Sequence, residues 1–150
     1  MNHRVWLCAL AAAGLSGCGR GVESGPPTVR LGETPCAQCG MIISDERFAT
    51  ASVFEGPRGP EARLFDDFNC QRNYEAEQSG ETVVARWSHD HSSSAWITTE
   101  QAYFVRSPAL RTPMASGMAA FGTAQGAESL RREIGGEVMR FDAAWAPPER

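Results

Sequence analysis

The sequence predicts an α+β fold in which two tandem ββαβ units pack as one small body. Three observations predict it. The order strand, strand, helix, strand occurs twice along the chain. Both predicted helices are followed by glycine, which commonly ends a helix. A chain of 150 residues suits one compact domain rather than two independent ones.

The first unit is expected at about residues 36–92. The segment "RFATASVFEG" has the spacing of a strand, and the turn residues that follow return the chain through "EARLFDD", which predicts a hairpin. A helix is predicted from Asp67 to Gln78, with Gly80 as its stop. The alternating segment Glu81–Asp90 is predicted as a third strand.

The second unit is expected at about residues 93–145, followed by a short tail at 146–150. Short strands are predicted at Trp96–Thr98 and Ala102–Arg106, and a closing strand at Glu137–Trp145. Between them, apolar side chains at helical spacing predict a helix that is closed by two glycines; these side chains are Phe121, Ala124, Ala127 and Leu130.

The N-terminal segment is typical of a bacterial export signal. Its apolar run, Val5–Leu15, is too short to cross a bilayer, which needs about 20 residues. The residues up to Cys18 resemble a lipobox, so residues 1–17 are expected to be a lipoprotein signal peptide and Cys18 the lipidated residue. An ordinary signal peptide with a chance cysteine is the alternative. Residues 18–35 are rich in Gly, Pro and Ser and are predicted to be a flexible tether.

Composition and motifs exclude several classes of function. The formal charge of −4 gives no electrostatic footprint for nucleic acid. All fourteen basic residues are arginine, which excludes a catalytic or phosphate-binding lysine. The sequence has no Ser–His–Asp order and no HExxH motif, and Asp66-Asp67 is better explained as a helix cap than as an acid–base pair. We therefore expect a protein that is not an enzyme.

Three cysteines remain after the export segment, Cys36, Cys39 and Cys70, and an odd number favours a reactive or metal-binding thiol. For the Cys36/Cys39 pair, haem attachment is excluded because Gly40, not His, follows Cys39. A zinc site, which needs four N or S ligands, lacks a second pair of cysteines. A thiol redox pair or a simple disulfide stays open, although the pair does not open a predicted helix.

A Cu(I) site is the interpretation that also uses the methionines. Thiolate and thioether are soft ligands, which select Cu(I) over harder cations. Cys39 and Met41, with Met114 or Met118 from a Gly- and Pro-rich loop, would make a labile three-coordinate site. Met139 is assigned to core packing. His89 and His91 are an alternative copper-binding pair, although a polar loop tip explains them better.

Five segments in order carry a resemblance to a known family: "CAQCGM", "FDDFNC", "AYFVRS", "TPMASGMAAF" and "GGEVMRF". Together they resemble the NosL family of lipoprotein copper chaperones, which are associated with assembly of nitrous oxide reductase. The resemblance implies two linked ββαβ modules, with Cys39 and Met114 as Cu(I) ligands and Cys36 as an auxiliary thiol. Cys70 matches a frequent cysteine without an assigned role. Ala115 stands where glycine often follows Pro-Met.

The expected function is therefore that of a membrane-anchored periplasmic Cu(I) metallochaperone. The resemblance implies delivery of copper to a cuproprotein client or its membrane maturation complex. Gly19 after the lipidated cysteine favours the outer membrane, by resemblance to Gram-negative lipoproteins. The alternatives are a periplasmic thiol-disulfide oxidoreductase that uses Cys36 and Cys39, and a structural lipoprotein.

Overall fold

The computed structural model describes residues 25–146, so the predicted signal peptide (1–17) and Cys18 lie outside it. The strands of this part are β1 (Thr50–Phe54), β2 (Glu61–Phe65), β3 (Val83–His89), β4 (Trp96–Thr98), β5 (Tyr103–Arg106), β6 (Met118–Phe121) and β7 (Glu137–Arg140). The α-helices are α1 (Phe68–Glu77), α2 (Ala124–Ile134) and α3 (Phe141–Trp145). None of these helices is long and apolar enough to cross a membrane.

The strands form two antiparallel sheets with the same arrangement at their centres. The first has the order β2-β1-β3-β4 and the second β6-β5-β7. In each sheet, the first strand of a ββαβ unit lies between the other two strands of that unit, and the helix connects the two strands that flank it. The predicted α+β fold of two ββαβ units is therefore confirmed.

Both main helices begin at a side-chain cap. The Asp67 carboxylate accepts a hydrogen bond from the Asn69 N–H at the start of α1, and the Thr123 hydroxyl accepts one from the Gly126 N–H at the start of α2. These bonds satisfy N–H groups that have no partner within the helix. At the other end of α2, Gly135 adopts a φ of +75°, which glycine reaches without strain.

The prediction that Trp96–Thr98 opens the second unit is wrong. This segment is β4, and it pairs with β3 at the edge of the first sheet. The second unit instead takes Met118–Phe121 as its second strand, β6, where sequence reasoning placed a loop and the start of a helix. Small alanines between two glycines carry little β-propensity, but all four residues of β6 are buried against β5. Tertiary packing has overridden local propensity here.

The predicted closing strand is also too long. It ends at Arg140, and Phe141–Trp145 forms the short helix α3. The side chain of Phe141 stacks on Trp145 with 5.0 Å between ring centroids, which the i,i+4 spacing of a helix permits and a strand does not.

Part of the predicted tether, 18–35, is folded. The Gly32 N–H donates to the Ile43 carbonyl and the Ile43 N–H donates to the Thr34 carbonyl, each at 2.9 Å. The tether prediction is therefore wrong for residues 30–35. A composition rich in Gly and Pro predicts a flexible segment, but it cannot show that the segment pairs with a later part of the chain.

The two sheets meet at the end of β3. Asp90 and Ala120 form an isolated parallel bridge, in which the His91 N–H donates to the Ala120 carbonyl at 2.8 Å. Phe68 of α1 packs edge-on against Phe104 of β5, so the apolar core continues from one unit into the other. The units thus form one body rather than two separate domains.

Candidate metal centre

The segment from Cys36 to Met41 closes into a tight turn. The Cys36 N–H donates to the Met41 carbonyl at 2.7 Å, and the Gly40 N–H donates to the Cys36 carbonyl at 2.9 Å. Gly40 has a φ of +75°, in the left-handed region that favours glycine. The turn therefore explains the glycine of the Cys-Gly-Met motif and brings Cys39 back beside Cys36.

Two further bonds fix this turn to the first unit. The Ala37 N–H donates to the Leu64 carbonyl in β2 at 2.8 Å. The Gln38 side-chain amide donates to the Glu77 carboxylate, at the last residue of α1, at 3.1 Å. The turn is thus held against the segment that carries the third thiol.

The third thiol is Cys70, in the first turn of α1. The sulfur atoms of Cys36, Cys39 and Cys70 all lie within 4.8 Å of one another. Cys36 and Cys70 are each 2% exposed, whereas Cys39 is exposed, and all three are free thiols. Within residues 25–146, no other group of three His, Cys, Asp or Glu side chains comes this close.

Burial is the main cause of the shifted pKa of the Cys70 thiol. It raises the pKa of Cys70 well above the ordinary value, and the neighbouring Cys36 and Cys39 thiols raise it further. Cys70 therefore stays protonated without a metal. A metal ion that binds its thiolate must displace that proton.

The carboxyl group next to the cap of α1 is also unusual. Asp66 is 1% exposed, and its Oδ1 has no hydrogen-bond partner in the described part of the chain. Burial raises the pKa of Asp66, and the negative charges of Asp67 and Asp45 raise it further. The raised pKa means that this buried carboxyl group takes up a proton more readily than an exposed aspartate does.

Met114 packs against the core cluster that contains two of the thiols. Its half-buried side chain contacts the core group that contains Cys36, Cys70 and Phe65. The loop between β5 and β6 carries it there, and the Asn69 side-chain amide in α1 donates to the Met114 carbonyl at 3.0 Å. The structure thus brings a loop of the second unit against α1 and the core cluster of the first unit.

The other candidate methionines lie elsewhere. Met41, two residues after Cys39, is 53% exposed. Met118 is buried in β6, where it packs with Phe104 in a different core cluster, and its sulfur accepts a hydrogen bond from Arg106 at 3.6 Å. Met139 packs against that second cluster, as its assignment to the core requires.

The two histidines have structural partners. The His89 ring is 2% exposed, lies 3.7 Å from the Trp96 ring and forms a hydrogen bond of 2.9 Å with the Ala49 carbonyl. The His91 ring packs 5.6 Å from both Phe48 and Phe121. Burial lowers the pKa of both rings. These contacts occupy the rings, and neither histidine belongs to the thiol cluster.

The ligand set is soft throughout. Three thiols and a neighbouring thioether match the preference of Cu(I), whereas a tetrahedral zinc site would need a fourth thiolate or imidazole. The Cys36/Cys39 pair lies in a turn and not at the start of a helix, where thioredoxin-like proteins place their redox pair. The arrangement is suited to holding a soft monovalent ion.

Sequence reasoning missed Cys70 as a member of the cluster. A signal for it was present, because "FDDFNC" combines a strand end, a helix cap and a cysteine in the first helical turn. Spacing along the chain could not show that the Cys36–Met41 turn folds back onto this helix start.

Comparison with known proteins identifies a family and a similar solved structure. The NosL family model matches residues 29–145. The fold is similar to that of a solved structure described as the copper chaperone NosL from Shewanella denitrificans. The TM-score is 0.64 at 19% sequence identity, covering 79% of this chain and 93% of that chain. No curated protein sequence matches. The resemblance drawn from the ordered motifs is confirmed.

Proposed function

The chain belongs to the NosL family, and from this premise we propose that it is a Cu(I) metallochaperone that delivers copper to a cuproprotein client. The observation that carries the proposal is the convergence of three free thiols within 4.8 Å, with Met114 packed against the core cluster that contains two of them. The name of the similar structure, a copper chaperone, supports the same cargo. Copper is here the cargo, not a resident cofactor.

The proposed ligands divide by exposure into a holding part and an exit part. Cys36 and Cys70 are buried, and Met114 is half-buried. Cys39 and Met41 are exposed, so a partner's ligand reaches them first. Cu(I) is stable with two or three ligands. A client can therefore replace the outer ligands one at a time while the inner ones still hold the ion.

This exchange makes and breaks only metal–ligand bonds. Copper entry releases protons from the thiols that bind it, and copper exit returns them. No substrate bond is cleaved, so the proposal treats the protein as a carrier rather than an enzyme.

We further propose that Cys18 is lipidated and holds the protein on the periplasmic face of a membrane, with the outer membrane favoured. The lipobox-like end of the export segment supports this. The proposed client is nitrous oxide reductase or its membrane maturation complex, by analogy with the family. Membrane fractionation of wild type and Cys18→Ala tests the anchor, because loss of the lipid should release the variant into the soluble fraction.

Competition with a chromophoric Cu(I) chelator tests the copper site. Cys39→Ser and Met114→Ala should each weaken Cu(I) binding by about 10-fold or more, since loss of a supporting residue alone typically costs 10–100-fold. Cys36→Ser separates the carrier from a redox enzyme. A carrier keeps part of its copper affinity, whereas a thiol oxidoreductase loses all activity. Unchanged affinity in both Cys39→Ser and Met114→Ala would reject the assignment.

A further inference from the structure

The loop that carries Met114 is tied to the start of α1 through Asp67. Asp67 Oδ2 accepts a hydrogen bond from the Met114 N–H at 3.2 Å and another from the Ser116 hydroxyl at 3.0 Å. At the carbonyl group of the same residue, the Asn69 side chain donates to the Met114 oxygen at 3.0 Å. The backbone of Met114 is thus held at both its donor and its acceptor.

Asp67 uses its two carboxylate oxygens for two separate purposes. Oδ1 accepts the Asn69 N–H at 2.7 Å and caps α1, while Oδ2 holds the loop. The side chain is fully buried, at 0% exposed. Because Cys70 lies in the same helical turn, this one carboxylate fixes the position of Met114 relative to an inner thiol.

We propose that Asp67 is a positioning residue, which sets the Met114 thioether against the thiol cluster before copper arrives. The inference rests on the proposed function and deepens it, since it names what determines how tightly the site holds copper. The loop is irregular, and Ala115 has a φ of +56°, so local propensity alone does not hold this conformation. Without the bonds to Asp67, the loop would become ordered only when copper binds. The cost of ordering it would then weaken the affinity for Cu(I).

The second unit supplies a matched control. Thr123 caps α2 as Asp67 caps α1, and its hydroxyl accepts the Gly126 N–H at 3.2 Å. The hydrogen bonds of Thr123 join it to Gly126 and Ala127 of α2, not to the Met114 loop. Thr123→Ala therefore removes a helix cap without disturbing the Met114 loop.

The first variant is Asp67→Asn, which keeps an acceptor oxygen for the cap and replaces the second oxygen by an amide that cannot accept. The second is Ser116→Ala, which removes one bond to the loop and leaves the cap intact. We expect Asp67→Asn to weaken Cu(I) binding about 10-fold, as is typical for loss of a supporting contact, and Ser116→Ala to weaken it less. Thr123→Ala should leave the affinity unchanged.

Combination with Met114→Ala decides whether Asp67 acts through Met114. If it does, Asp67→Asn causes no further loss of Cu(I) affinity once Met114→Ala is present. If the two losses in affinity multiply, or if Thr123→Ala weakens binding as much as Asp67→Asn, Asp67 has only a general structural role and the proposal is wrong.

A readout without copper separates this inference from the proposed function. The ¹³C-methyl NMR signal of Met114 in the metal-free protein should shift in Asp67→Asn and in Ser116→Ala, and stay in place in Thr123→Ala. If wild type binds Cu(I) no better than a Cys36/Cys39/Cys70 triple serine variant, the copper function fails. The methyl shift would even then show the positioning. A Met114 signal that does not respond to either variant overturns the positioning role.

Discussion

The two ββαβ units share a frame but differ where the helix begins. In the first unit the chain leaves β2 through Asp66 and Asp67 and reaches Cys70 in the first turn of α1. In the second unit it leaves β6 through Gly122 and Thr123, and the position that corresponds to Cys70 is Gly126. The same geometry thus presents a thiol in one unit and no side chain in the other.

Packing explains why the second unit has glycine there. A Cβ on Gly126 would lie 3.0 Å from the Phe121 ring and 3.3 Å from the Thr123 hydroxyl oxygen. In the first unit the space beside the helix start is instead filled by the Cys36–Met41 turn. The first unit therefore has a thiol at this helix position, whereas the second unit has a closely packed glycine.

The loop between the first two strands is short in the first unit and long in the second. The first unit joins β1 to β2 through residues 55–60, whereas the second joins β5 to β6 through 107–117 and carries Met114. The candidate site combines the thiols of one unit with the long loop of the other. Neither unit alone contains the complete ligand set, which predicts that the two halves cannot act separately.

We expect the largest effect on stability from a comparison of two glycines, one after α1 and one after α2. Gly136 has a φ of +103°, and a Cβ there would lie 2.2 Å from the Arg106 carbonyl oxygen, whereas one on Gly80 would meet nothing within 4 Å. We expect Gly136→Ala to lower the free energy of unfolding by about 2–5 kcal/mol through strain and clash. Gly80→Ala should change it by less than about 0.5 kcal/mol. Urea denaturation measures both, and equal effects would contradict the comparison.

The next effect concerns copper rather than stability. Cys70→Ala should weaken Cu(I) binding by about 10–100-fold, because it removes an inner thiol. Met118→Leu is the matched control, since it conserves side-chain volume in the core and should cost less than about 1.5 kcal/mol of stability. Chelator competition with both variants measures the difference. If Met118→Leu lost copper affinity and Cys70→Ala did not, the assignment of Cys70 to copper binding and of Met118 to core packing would be wrong.

A smaller effect concerns Asp90, at the junction of the two units. Its carboxylate accepts hydrogen bonds from the N–H groups of Gly122 at 2.7 Å, Ser92 at 2.9 Å and Ser93 at 3.0 Å. Burial alone would raise the pKa of Asp90, but these donors outweigh it, and the pKa is lowered. Asp90→Ala should therefore reduce the free energy of unfolding by about 1–2 kcal/mol at neutral pH.

The lowered pKa fixes the sign of the pH dependence. The stabilisation is fully present above the pKa of about 3.9 that an aspartate has in the unfolded chain, and it is lost as the pH falls through the lower folded-state pKa. The difference between wild type and Asp90→Ala in urea denaturation should therefore shrink between pH 7 and strongly acidic pH. A difference that stays constant would mean that the charge of Asp90 does not contribute.

The smallest expected effect is at Ala115. Its φ of +56° lies in the left-handed region, which costs a residue with a Cβ about 1 kcal/mol and glycine little. Ala115→Gly should raise the free energy of unfolding by about 0.5 kcal/mol, because the greater freedom of glycine in the unfolded chain offsets part of the gain. Thermal unfolding of metal-free protein measures it. A clear loss of stability would mean that this loop conformation is not the relaxed one.

Periodicity and turn chemistry were sufficient to predict most of the fold. The hairpin at β1 and β2, the cap at Asp67 and the glycine end of α2 follow from local signals. The strand β6 did not, because its alanines form a strand only through burial against β5. The partner of β4 was also not predictable, since a three-residue strand carries no information about which sheet it joins.

The sequence was sufficient to predict the type of ligand in the candidate site but not all of the residues that form it. The Cys36–Met41 motif and the methionine loop indicated a soft metal site, and family motifs selected Cys39 and Met114. Cys70 enters the cluster through the tertiary contact between a turn and a helix start. Met118 shares the loop sequence with Met114, yet Met114 packs against the core cluster that contains Cys36 and Cys70, whereas Met118 belongs to a different core cluster.

X-ray absorption of the Cu(I)-loaded selenomethionine protein at the copper edge tests the central claim most directly. Wild type should show a first shell of sulfur and selenium, and Met114→Leu should lose one selenium neighbour while it keeps the sulfur. A shell of nitrogen or oxygen, or a number of selenium neighbours that is the same in Met114→Leu as in wild type, would contradict a copper site built from the thiol cluster and Met114.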